Sequence, residues 1–323
     1  MIKGIVVLFA AAAAALATAA AQTPPAAKKA LIAHRGASAY APEHTIASYT
    51  LATVQKADFV EQDLAVTSDG VLVCIHDLTL ERTTNVAEVF PDRYSRAAPG
   101  EGRAAAPPAA AAAAASAGAA PARRWLVNDF TLAELKRLDA GTGFDPKFAG
   151  ARIPTFQEAI DLVRGKAGLY PELKDPEFYR RRGIRTDVLL AAMLRKNGLV
   201  ANPKTPVIIQ SFDDAALRQL ARDLPQVPRV FLVEPRDAAR LDTPEKLKEI
   251  AGWASGVAPN KAIVDTMPGL VKQAHDAGLT VTLWTFRAST TTFPSVREEM
   301  EKYLYTLGVD AVFTDNPDQF PRR

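Results

Sequence analysis

Cysteine is almost absent from this sequence, which has a single one, Cys74, in 323 residues. One cysteine cannot form an internal disulfide, so the stability of the chain has to come from a packed core. A hydrophobic share of 48% is large enough for such a core. Cys74 stands in the apolar run 71–75, where a thiol behaves as a small buried hydrophobic group, so we do not expect it to be a catalytic nucleophile.

Neither sign of charge dominates the chain, and the sequence has no basic block. Lysine and arginine total 39 against 36 aspartates and glutamates, which gives a formal net charge of +3. Domains that bind nucleic acid concentrate their positive charge on one face. We therefore expect no nucleic-acid partner. The length fits two ordinary domains or one barrel, which commonly has about 250 residues.

The N-terminus contains an apolar, alanine-rich run that follows one lysine and reaches Ala17. The small residues 19–21 then form a typical cleavage site before Gln22. This pattern predicts that residues 1–21 are a secretory signal peptide and that the protein is exported to the periplasm. The run is short for a membrane span of about 20 residues, and no cysteine near Gln22 offers a lipid anchor. We expect no stable membrane insertion after cleavage.

Short apolar runs alternate with helical patterns from Ala30 onward, which indicates a βα architecture. The predicted strands are residues 30–34, 58–65, 168–173, 206–211, 229–233, 254–258, 279–285 and 309–314. Helical patterns cover 45–56, 131–138, 155–164, 186–197, 213–222, 244–251 and 267–277. Eight strands favour a closed (β/α)8 TIM barrel over an open sheet, whose first turn is usually rich in glycine. We predict one barrel domain over residues 30–323, after a disordered lead-in over 22–29.

The alternation is interrupted after the second predicted strand. Asp69-Gly70 separates two β-rich runs, and this dipeptide is typical of a hairpin. Residues 71–76 are therefore predicted to return antiparallel to the second strand and not to join the barrel. With the turn centred between residues 68 and 69, the facing pairs would be Glu61 with His76 and Asp63 with Cys74. A long insertion is expected over residues 83–150, and its alanine-rich part, 104–120, is predicted to be a surface loop.

Polar residues follow the apolar runs at the predicted C-terminal ends of the strands, where (β/α)8 barrels carry their active sites. Glu61 and Asp63 are two residues apart on one strand, so their side chains point to the same side. Two such carboxylates repel each other unless a cation lies between them. Glu172, on the next barrel strand, completes an all-oxygen set of the kind that Ca²⁺ and Mg²⁺ prefer. The alternative is a polar face on an exposed strand.

Histidine is scarce, and the four histidines are His34, His44, His76 and His275. His34 ends the first strand and His76 lies on the returning hairpin strand, so both fall near the predicted metal site. Two imidazoles across a P–O bond can act as general base and general acid near neutral pH. Alternatively, each only orients a neighbour. We expect His275 at the surface, and His44 either positions the loop after the first strand or contacts substrate.

Arg35 and Lys174 also fall at the predicted ends of strands, where their positive charge would suit an anionic substrate such as a phosphodiester. An arginine can bind two phosphate oxygens at once with its planar guanidinium. The alternative for each is an ion pair with a nearby carboxylate.

Several segments resemble the glycerophosphodiester phosphodiesterase family. They are AHRGASAYAPEHT, VEQDLAVTSDGVLVCIHDLTLERTTN, PELK, VTLWTF and FTDNPD. The resemblance runs from about Leu31 to Phe320, and the order of HRG, Glu-x-Asp, HD and ELK makes it specific. The segments PEHT, VFPDR, NDFTLAEL and GFDPKFAGARIPTFQEA are similar to the periplasmic branch.

The resemblance implies a (β/α)8 barrel that hydrolyses glycerophosphodiesters, such as glycerophosphocholine or glycerophosphoethanolamine, to glycerol 3-phosphate and an alcohol. It implies the metal ligands Glu61, Asp63 and Glu172, the acid/base pair His34 and His76, and the substrate-binding residues Arg35, Lys174, Glu43 and Trp284. It implies Ca²⁺ as the metal, with Mg²⁺ as the alternative. The alanine-rich segment 104–120 and the long segment after Trp284 depart from the family pattern and leave the choice of alcohol open.

Two other functions stay open at this point. One is a phospholipase that acts on intact phospholipids with the same barrel, although the sequence shows no obvious amphipathic membrane segment. The other is a non-catalytic periplasmic or surface binding protein, which would be expected to have lost one of the histidines or carboxylates. A glycoside hydrolase would also use paired carboxylates, but two histidines and an arginine fit phosphate better.

Overall fold

Eight parallel strands close into a barrel in the computed structural model of the protein, which describes residues 28–96 and 123–323. The strands are β1 (Ala30–Ala33), β2 (Phe59–Val66), β3 (Leu72–Cys74), β4 (Ser95–Arg96), β5 (Arg123–Arg124), β6 (Gly168–Leu173), β7 (Ile209–Ser211), β8 (Arg229–Val233), β9 (Gly256–Pro259), β10 (Thr280–Phe286) and β11 (Ala311–Thr314). The barrel order is β1–β2–β6–β7–β8–β9–β10–β11, and β11 pairs with β1 to close it. The predicted (β/α)8 barrel is confirmed.

Helices connect successive barrel strands. They are α1 (Ile46–Val54), α2 (Val86–Val89), α3 (Leu132–Leu135), α4 (Phe156–Val163), α5 (Pro176–Arg181), α6 (Thr186–Lys196), α7 (Asp214–Asp223), α8 (Pro244–Ala251), α9 (Lys261–Thr266), α10 (Leu270–Asp276) and α11 (Val296–Glu301). Shorter helical turns lie at Val127–Asp129, Pro146–Phe148, Pro235–Arg240, Lys302–Thr306 and Pro317–Gln319. The sequence pattern did not predict α2, α5, α9 and α11, because helices of four to six residues are too short to show a helical period.

Helix α4 illustrates why these segments are helical. Its N-cap Thr155 accepts a hydrogen bond from the backbone N–H of Glu158, and the Glu158 carboxylate accepts one from the backbone N–H of Thr155. Such a cap is worth about 1 kcal/mol. The buried side chains of the helix are Phe156, Ala159, Ile160 and Val163. This i, i+3, i+4, i+7 spacing places one apolar face against α1 and β3.

Inward-pointing side chains fill the barrel. They are Ile32, Tyr170, Val230, Leu232, Ala258, Ala311 and Phe313. The rings of Tyr170 and Phe313 meet edge to face with their centroids 5.2 Å apart. Since alternate residues of a strand point to opposite sides, Leu31 and Val312 point outward into the larger apolar layer beneath the helices. The barrel is therefore a packed core that leaves room for a site at its end.

The hairpin after β2 is present, but its register differs from the prediction by one residue. The observed pairs are Leu64–Cys74, Ala65–Val73 and Val66–Leu72. The turn is centred on Asp69, because the N–H of Thr67 donates to the carbonyl of Val71 over 3.0 Å and the N–H of Val71 donates to Oγ1 of Thr67 over 2.9 Å. The predicted facing pairs, Glu61 with His76 and Asp63 with Cys74, are therefore wrong. Cys74 is buried, as predicted.

The end of the hairpin explains why His76 still reaches the predicted site. The N–H of Ile75 donates to the carbonyl of Asp63 over 2.9 Å. The regular strand has ended by this point, at Cys74. His76 therefore lies just past the ladder, beside the C-terminal half of β2.

The connection from β2 to β6 carries β3, β4, β5, α2, α3 and α4, which confirms an insertion after the second barrel strand. Its predicted bounds, 83–150, stay a prediction. The alanine-rich segment 104–120, the signal peptide 1–21 and most of the lead-in 22–29 lie outside the described residues. Within residues 28–96 and 123–323, no helix has both the length and the apolar character that a bilayer crossing requires.

Candidate active site

A cavity of about 1040 Å³ opens at the C-terminal end of the barrel strands. Eight of the nine predicted site residues line it, and these are His34, Arg35, Glu61, Asp63, His76, Glu172, Lys174 and Trp284. They come from the ends of β1, β2, β6 and β10 and from the segment after the hairpin. This is the end of a (β/α)8 barrel at which catalytic residues are found.

Three carboxylates meet at the floor of this cavity. Glu61, Asp63 and Glu172 each offer an oxygen atom, and these atoms lie within 4.8 Å of one another. The strand register causes this meeting, since β2 and β6 are parallel and pair Asp63 directly with Glu172. All three residues are buried, with exposed fractions of 5% or less. The structure thus brings together the three residues that the sequence pattern selects as metal ligands.

Crowding of the carboxylates changes their proton affinity. Burial, and then repulsion from Asp63 and Glu172, raises the pKa of Glu61 well above its usual range. Burial raises the pKa of Glu172 to about 8, against the opposing effect of Lys174. Asp63 is the ionised member, because Lys174 and His44 outweigh its burial and hold its pKa well below the usual range. Without a cation, the cluster is electrostatically unfavourable.

The donor set fits a divalent cation. Oδ1 of Asp63 is buried and has no hydrogen-bond partner among the described residues. A buried polar atom without a partner costs about 1–3 kcal/mol, and more when it is charged. A hard cation accepts oxygen ligands of this kind and removes both the repulsion and the unsatisfied oxygen.

Other side chains and one backbone amide hold the carboxylates in place. Glu61 accepts hydrogen bonds from the backbone N–H of Arg35 over 2.9 Å and from Nε2 of Gln210 over 2.7 Å. Nζ of Lys174 lies 2.8 Å from Oε1 of Glu172. The carboxylates are thus fixed before any ligand binds.

The turn after β1 positions His34. Arg35 has a φ of 55° and Gly36 a φ of 86°, both in the left-handed region. A Cβ at residue 36 would lie 2.7 Å from the backbone carbonyl carbon of Ser48, so this close approach requires glycine. Nδ1 of His34 lies 2.6 Å from Oδ1 of Asp315, and its Nε2 lies 3.9 Å from Oε2 of Glu61. Burial and the neighbouring Arg35 lower the pKa of His34 to about 4.

His76 lies in a similar setting. Its Nδ1 is 2.6 Å from Oδ1 of Asp77. Burial, and then the charges of Lys174 and Arg35, lower the pKa of His76 to about 3. Both cavity histidines are therefore neutral at pH 7 in the protein without ligand.

Glu43 is the ninth predicted site residue, a substrate-binding position by the family resemblance. It is not among the residues that line the cavity. Its carboxylate accepts hydrogen bonds from Nη1 of Arg35 over 3.1 and 3.2 Å, and from Nη1 and Nη2 of Arg82 over 2.9 and 2.7 Å. Two guanidinium groups bind Glu43 outside the cavity, so any effect on substrate has to pass through Arg35 or Arg82.

The other two histidines lie outside the cavity. His44 is 3% exposed, with Nδ1 2.8 Å from the Tyr49 hydroxyl and Nε2 2.8 Å from Oδ2 of Asp63. Of the two alternatives for His44, this geometry favours positioning over substrate contact. His275 is exposed and pairs with Asp310 over 2.8 Å, just before β11 and therefore at the opposite end of the barrel.

Aromatic side chains form one wall of the cavity. Trp284 donates from Nε1 to the carbonyl of Ala258 over 2.8 Å, and its ring meets that of Phe212 edge to face with the centroids 5.8 Å apart. Lys174, the residue after β6, also lines the cavity, and its side chain is 14% exposed. The cavity therefore combines a cationic, carboxylate-lined part with an apolar one.

Sequence reasoning gave no role to several residues that build the site. Gln210 and Asp315 follow the same rule as the predicted residues, since each is polar and stands at the end of a barrel strand, and this signal would have found them. Arg82 and Arg287 lie in irregular segments, where no strand end or repeating pattern marks them.

The fold and the cavity define a (β/α)8-barrel hydrolase with a carboxylate cluster and two histidines. The sequence model of the glycerophosphoryl diester phosphodiesterase family matches residues 34–319. The chain belongs to this family and is a phosphodiesterase.

Relatives and solved structures agree with this assignment. The chain is 33% identical to a glycerophosphodiester phosphodiesterase of Bacillus subtilis strain 168, with 90% of this chain and 84% of the relative covered. A second, from Haemophilus influenzae, is 30% identical, with 90% and 88% covered. Among solved structures, an Oleispira antarctica phosphodiesterase in complex with the product sn-glycerol-3-phosphate is 26% identical, with a TM-score of 0.66 and 90% and 94% of the two chains covered.

Proposed function

We propose that this protein hydrolyses glycerophosphodiesters, such as glycerophosphocholine or glycerophosphoethanolamine, to glycerol 3-phosphate and an alcohol. The observation that carries the proposal is the meeting of three carboxylates, two histidines and two cationic side chains in one cavity. The product named in the Oleispira antarctica structure, sn-glycerol-3-phosphate, supports the same substrate class.

We propose that the reaction depends on one divalent cation, Ca²⁺, with Mg²⁺ as the alternative. Glu61, Asp63 and Glu172 would hold it. When bound, the cation supplies positive charge that stabilises the charge developing on the phosphate in the transition state. Lys174 adds a second positive charge beside Glu172.

His34 and His76 are proposed as the proton-transfer pair. The neutral His34 accepts a proton from water or from the neighbouring glycerol hydroxyl, and His76 donates a proton to the departing alcohol. The route through the glycerol hydroxyl forms a cyclic phosphate, which water then opens to glycerol 3-phosphate. In this step His76, now neutral, accepts a proton from water, and His34 returns its proton to the departing glycerol oxygen. Binding of an anionic phosphodiester beside His76 raises the pKa of this imidazole and so favours the protonated form that the donor needs.

Arg35 and Lys174 are proposed to bind the phosphate oxygens, and Trp284 to contact the apolar part of the substrate. Nε of Arg35 lies 3.5 Å from Oδ2 of Asp63, so the guanidinium stands between the carboxylate cluster and Glu43. A phosphate held there would meet positive charge from two sides. Glu43 then contributes to substrate binding by orienting Arg35.

The experiment is direct. The purified mature protein is incubated with glycerophosphocholine, with and without Ca²⁺, and the released glycerol 3-phosphate is measured. We expect release that EGTA abolishes and Ca²⁺ restores. An intact phosphatidylcholine serves as the second substrate. Hydrolysis of this lipid alone would refute the proposal and indicate a phospholipase.

We also propose that the protein is exported to the periplasm. The apolar, alanine-rich run and the small residues before Gln22 support this proposal. The mass of the protein recovered from the periplasm of a producing bacterium should correspond to a chain that starts at Gln22. Recovery of the full-length chain in the cytoplasm would refute it.

A further inference from the structure

The imidazole of His34 is held by a carboxylate that is itself held by an arginine. Oδ1 of Asp315 lies 2.6 Å from Nδ1 of His34, and Nε of Arg287 donates to Oδ2 of Asp315 over 2.7 Å. Arg287 thus occupies the second oxygen of the carboxylate and leaves the first for the imidazole.

The same arrangement recurs, built from different segments, around His76. Oδ1 of Asp77 lies 2.6 Å from Nδ1 of His76, and Nε of Arg82 donates to Oδ2 of Asp77 over 2.5 Å. In both cases the imidazole uses Nδ1, one aspartate oxygen accepts from the imidazole, and an arginine binds the other oxygen. One set joins the ends of β1, β10 and β11, whereas the other lies within the segment after the hairpin.

This arrangement fixes the tautomer of each imidazole. An ionised carboxylate only accepts hydrogen bonds, so Nδ1 has to carry the proton. Nε2 is then left for chemistry in the cavity, and within the described residues no hydrogen bond from Nε2 is found for His34 or His76. His44 provides the contrast, because both of its ring nitrogens are occupied, by Tyr49 and by Asp63.

We propose that Asp315 and Asp77 are positioning residues for the reaction, each of which holds its own histidine in the tautomer that presents Nε2 to the substrate. The inference rests on the proposed function, in which these two histidines transfer the protons. In this proposal neither aspartate contacts the substrate. Each acts through one imidazole, so its effect should follow that imidazole through every assay.

The first test uses Asp315→Asn and Asp77→Asn. An asparagine can offer N–H groups to the ring nitrogen and so permits the wrong tautomer. With glycerophosphocholine, we expect kcat to fall by about 10²–10⁴-fold, the range for losing acid–base catalysis, while KM stays within about threefold of the original value. A rise in KM without a fall in kcat, or an unchanged kcat in both variants, would overturn the proposal.

The second test changes the leaving group of the substrate to one that departs without a proton. The p-nitrophenyl ester of glycerol phosphate releases an anion that needs no proton at neutral pH, so the general acid becomes dispensable with this substrate. We expect His76→Ala and Asp77→Asn to recover together on this ester, and His34→Ala and Asp315→Asn to stay impaired together. If His34→Ala and Asp315→Asn recovered instead, His34 would be the acid and His76 the base, and the pairing of each histidine with its aspartate would still be supported. An aspartate variant that behaves unlike its own histidine variant would overturn the pairing.

Double variants test the same pairing without a change of substrate. His76→Ala combined with Asp77→Asn should be no slower than His76→Ala alone, because the aspartate acts only through that ring. His76→Ala combined with Asp315→Asn should be slower than either single variant. Additive losses within the His76 and Asp77 pair would contradict the proposal.

His275→Gln is the matched control, because His275 also pairs with an aspartate, Asp310, but at the opposite end of the barrel. It should leave kcat unchanged. If an aspartate variant fails to fold, Arg287→Gln and Arg82→Gln replace it, since they loosen the same carboxylates from outside, and each should show the leaving-group dependence of its own histidine.

The proposed function is tested separately, by measuring whether the unaltered enzyme hydrolyses glycerophosphocholine. The kcat ratios of the variants on whichever phosphodiester it hydrolyses then test the pairing.

Discussion

Asp63 on β2 and Glu172 on β6 stand side by side because the two parallel strands pair these residues in register. Their carboxylates and that of Glu61 share a buried site. The barrel thus brings three carboxyl groups together where a protein without a cation would be expected to keep them apart. Close carboxylates lower the stability of the protein without a cation, and the same closeness favours cation binding.

Neutralising one carboxylate should therefore affect stability and metal binding in opposite directions. Above pH 8, where the Glu172 carboxyl is ionised, Glu172→Gln removes a repelling charge, and the amide oxygen of the glutamine can still accept a hydrogen bond from Lys174. The EDTA-treated variant should then be at least as stable toward urea as the unaltered protein. Its affinity for Ca²⁺, measured by calorimetry, should fall by more than about tenfold, because one of three ligands has lost its charge. Unchanged Ca²⁺ affinity would exclude Glu172 as a ligand.

Cation binding should stabilise the folded protein. A ligand that binds only the folded state adds about 2.7 kcal/mol at a concentration 100 times its Kd. The midpoint of thermal unfolding should therefore rise when Ca²⁺ is added to EDTA-treated protein. The variant Glu61→Gln/Asp63→Asn is the control, and its midpoint should not respond. An equal response of the variant would place the stabilising cation elsewhere.

Alanine substitutions at Gly36 and Gly70 distinguish the effect of backbone strain from the effect of steric crowding. Both have positive φ values, 86° and 80°, but a Cβ at residue 36 would lie 2.7 Å from the backbone of Ser48, whereas one at residue 70 would meet nothing within 4 Å. Gly70→Ala should lower the free energy of unfolding by about 1–2 kcal/mol and leave activity intact. Gly36→Ala should cost more and should lower kcat, because the turn that carries His34 has to move. Equal effects in urea unfolding and kcat assays would contradict this account.

Glu43→Gln tests whether Glu43 acts by orienting Arg35. With its hydrogen bonds to the Glu43 carboxylate weakened, Arg35 should bind phosphate less well. The KM for glycerophosphocholine should therefore rise by about tenfold, with a smaller change in kcat. Glu81→Gln is the control, because Glu81 pairs with Arg124 and is not among the residues lining the cavity. A fall in kcat at constant KM would contradict this role and indicate that Glu43 acts through Arg82 and Asp77 on His76.

The sequence was sufficient for the features that depend on short-range pattern. The barrel strands appear as apolar runs, and Glu61 and Asp63 share a face because side chains alternate along a strand. Glu172 could be added because parallel strands end at the same edge. These inferences need only strand periodicity and the rule that barrel sites lie at the C-terminal ends.

The features that were wrong or missed depend on exact register or on contacts between irregular segments. A shift of the turn centre from between residues 68 and 69 to Asp69 was enough to change every facing pair of the hairpin. The contact of Glu43 with Arg82 was missed, because Arg82 lies in a segment without a strand or helix period. Contacts of this kind are decided by tertiary packing, and no local pattern encodes them.

The most direct measurement is diffraction from crystals grown with Ca²⁺. The account predicts one ion bound by oxygen atoms of Glu61, Asp63 and Glu172 at about 2.3–2.6 Å, with Nε2 of His34 and of His76 directed toward the same cavity. An ion bound elsewhere, or three carboxylates that turn away from a shared centre when Ca²⁺ is present, would contradict it.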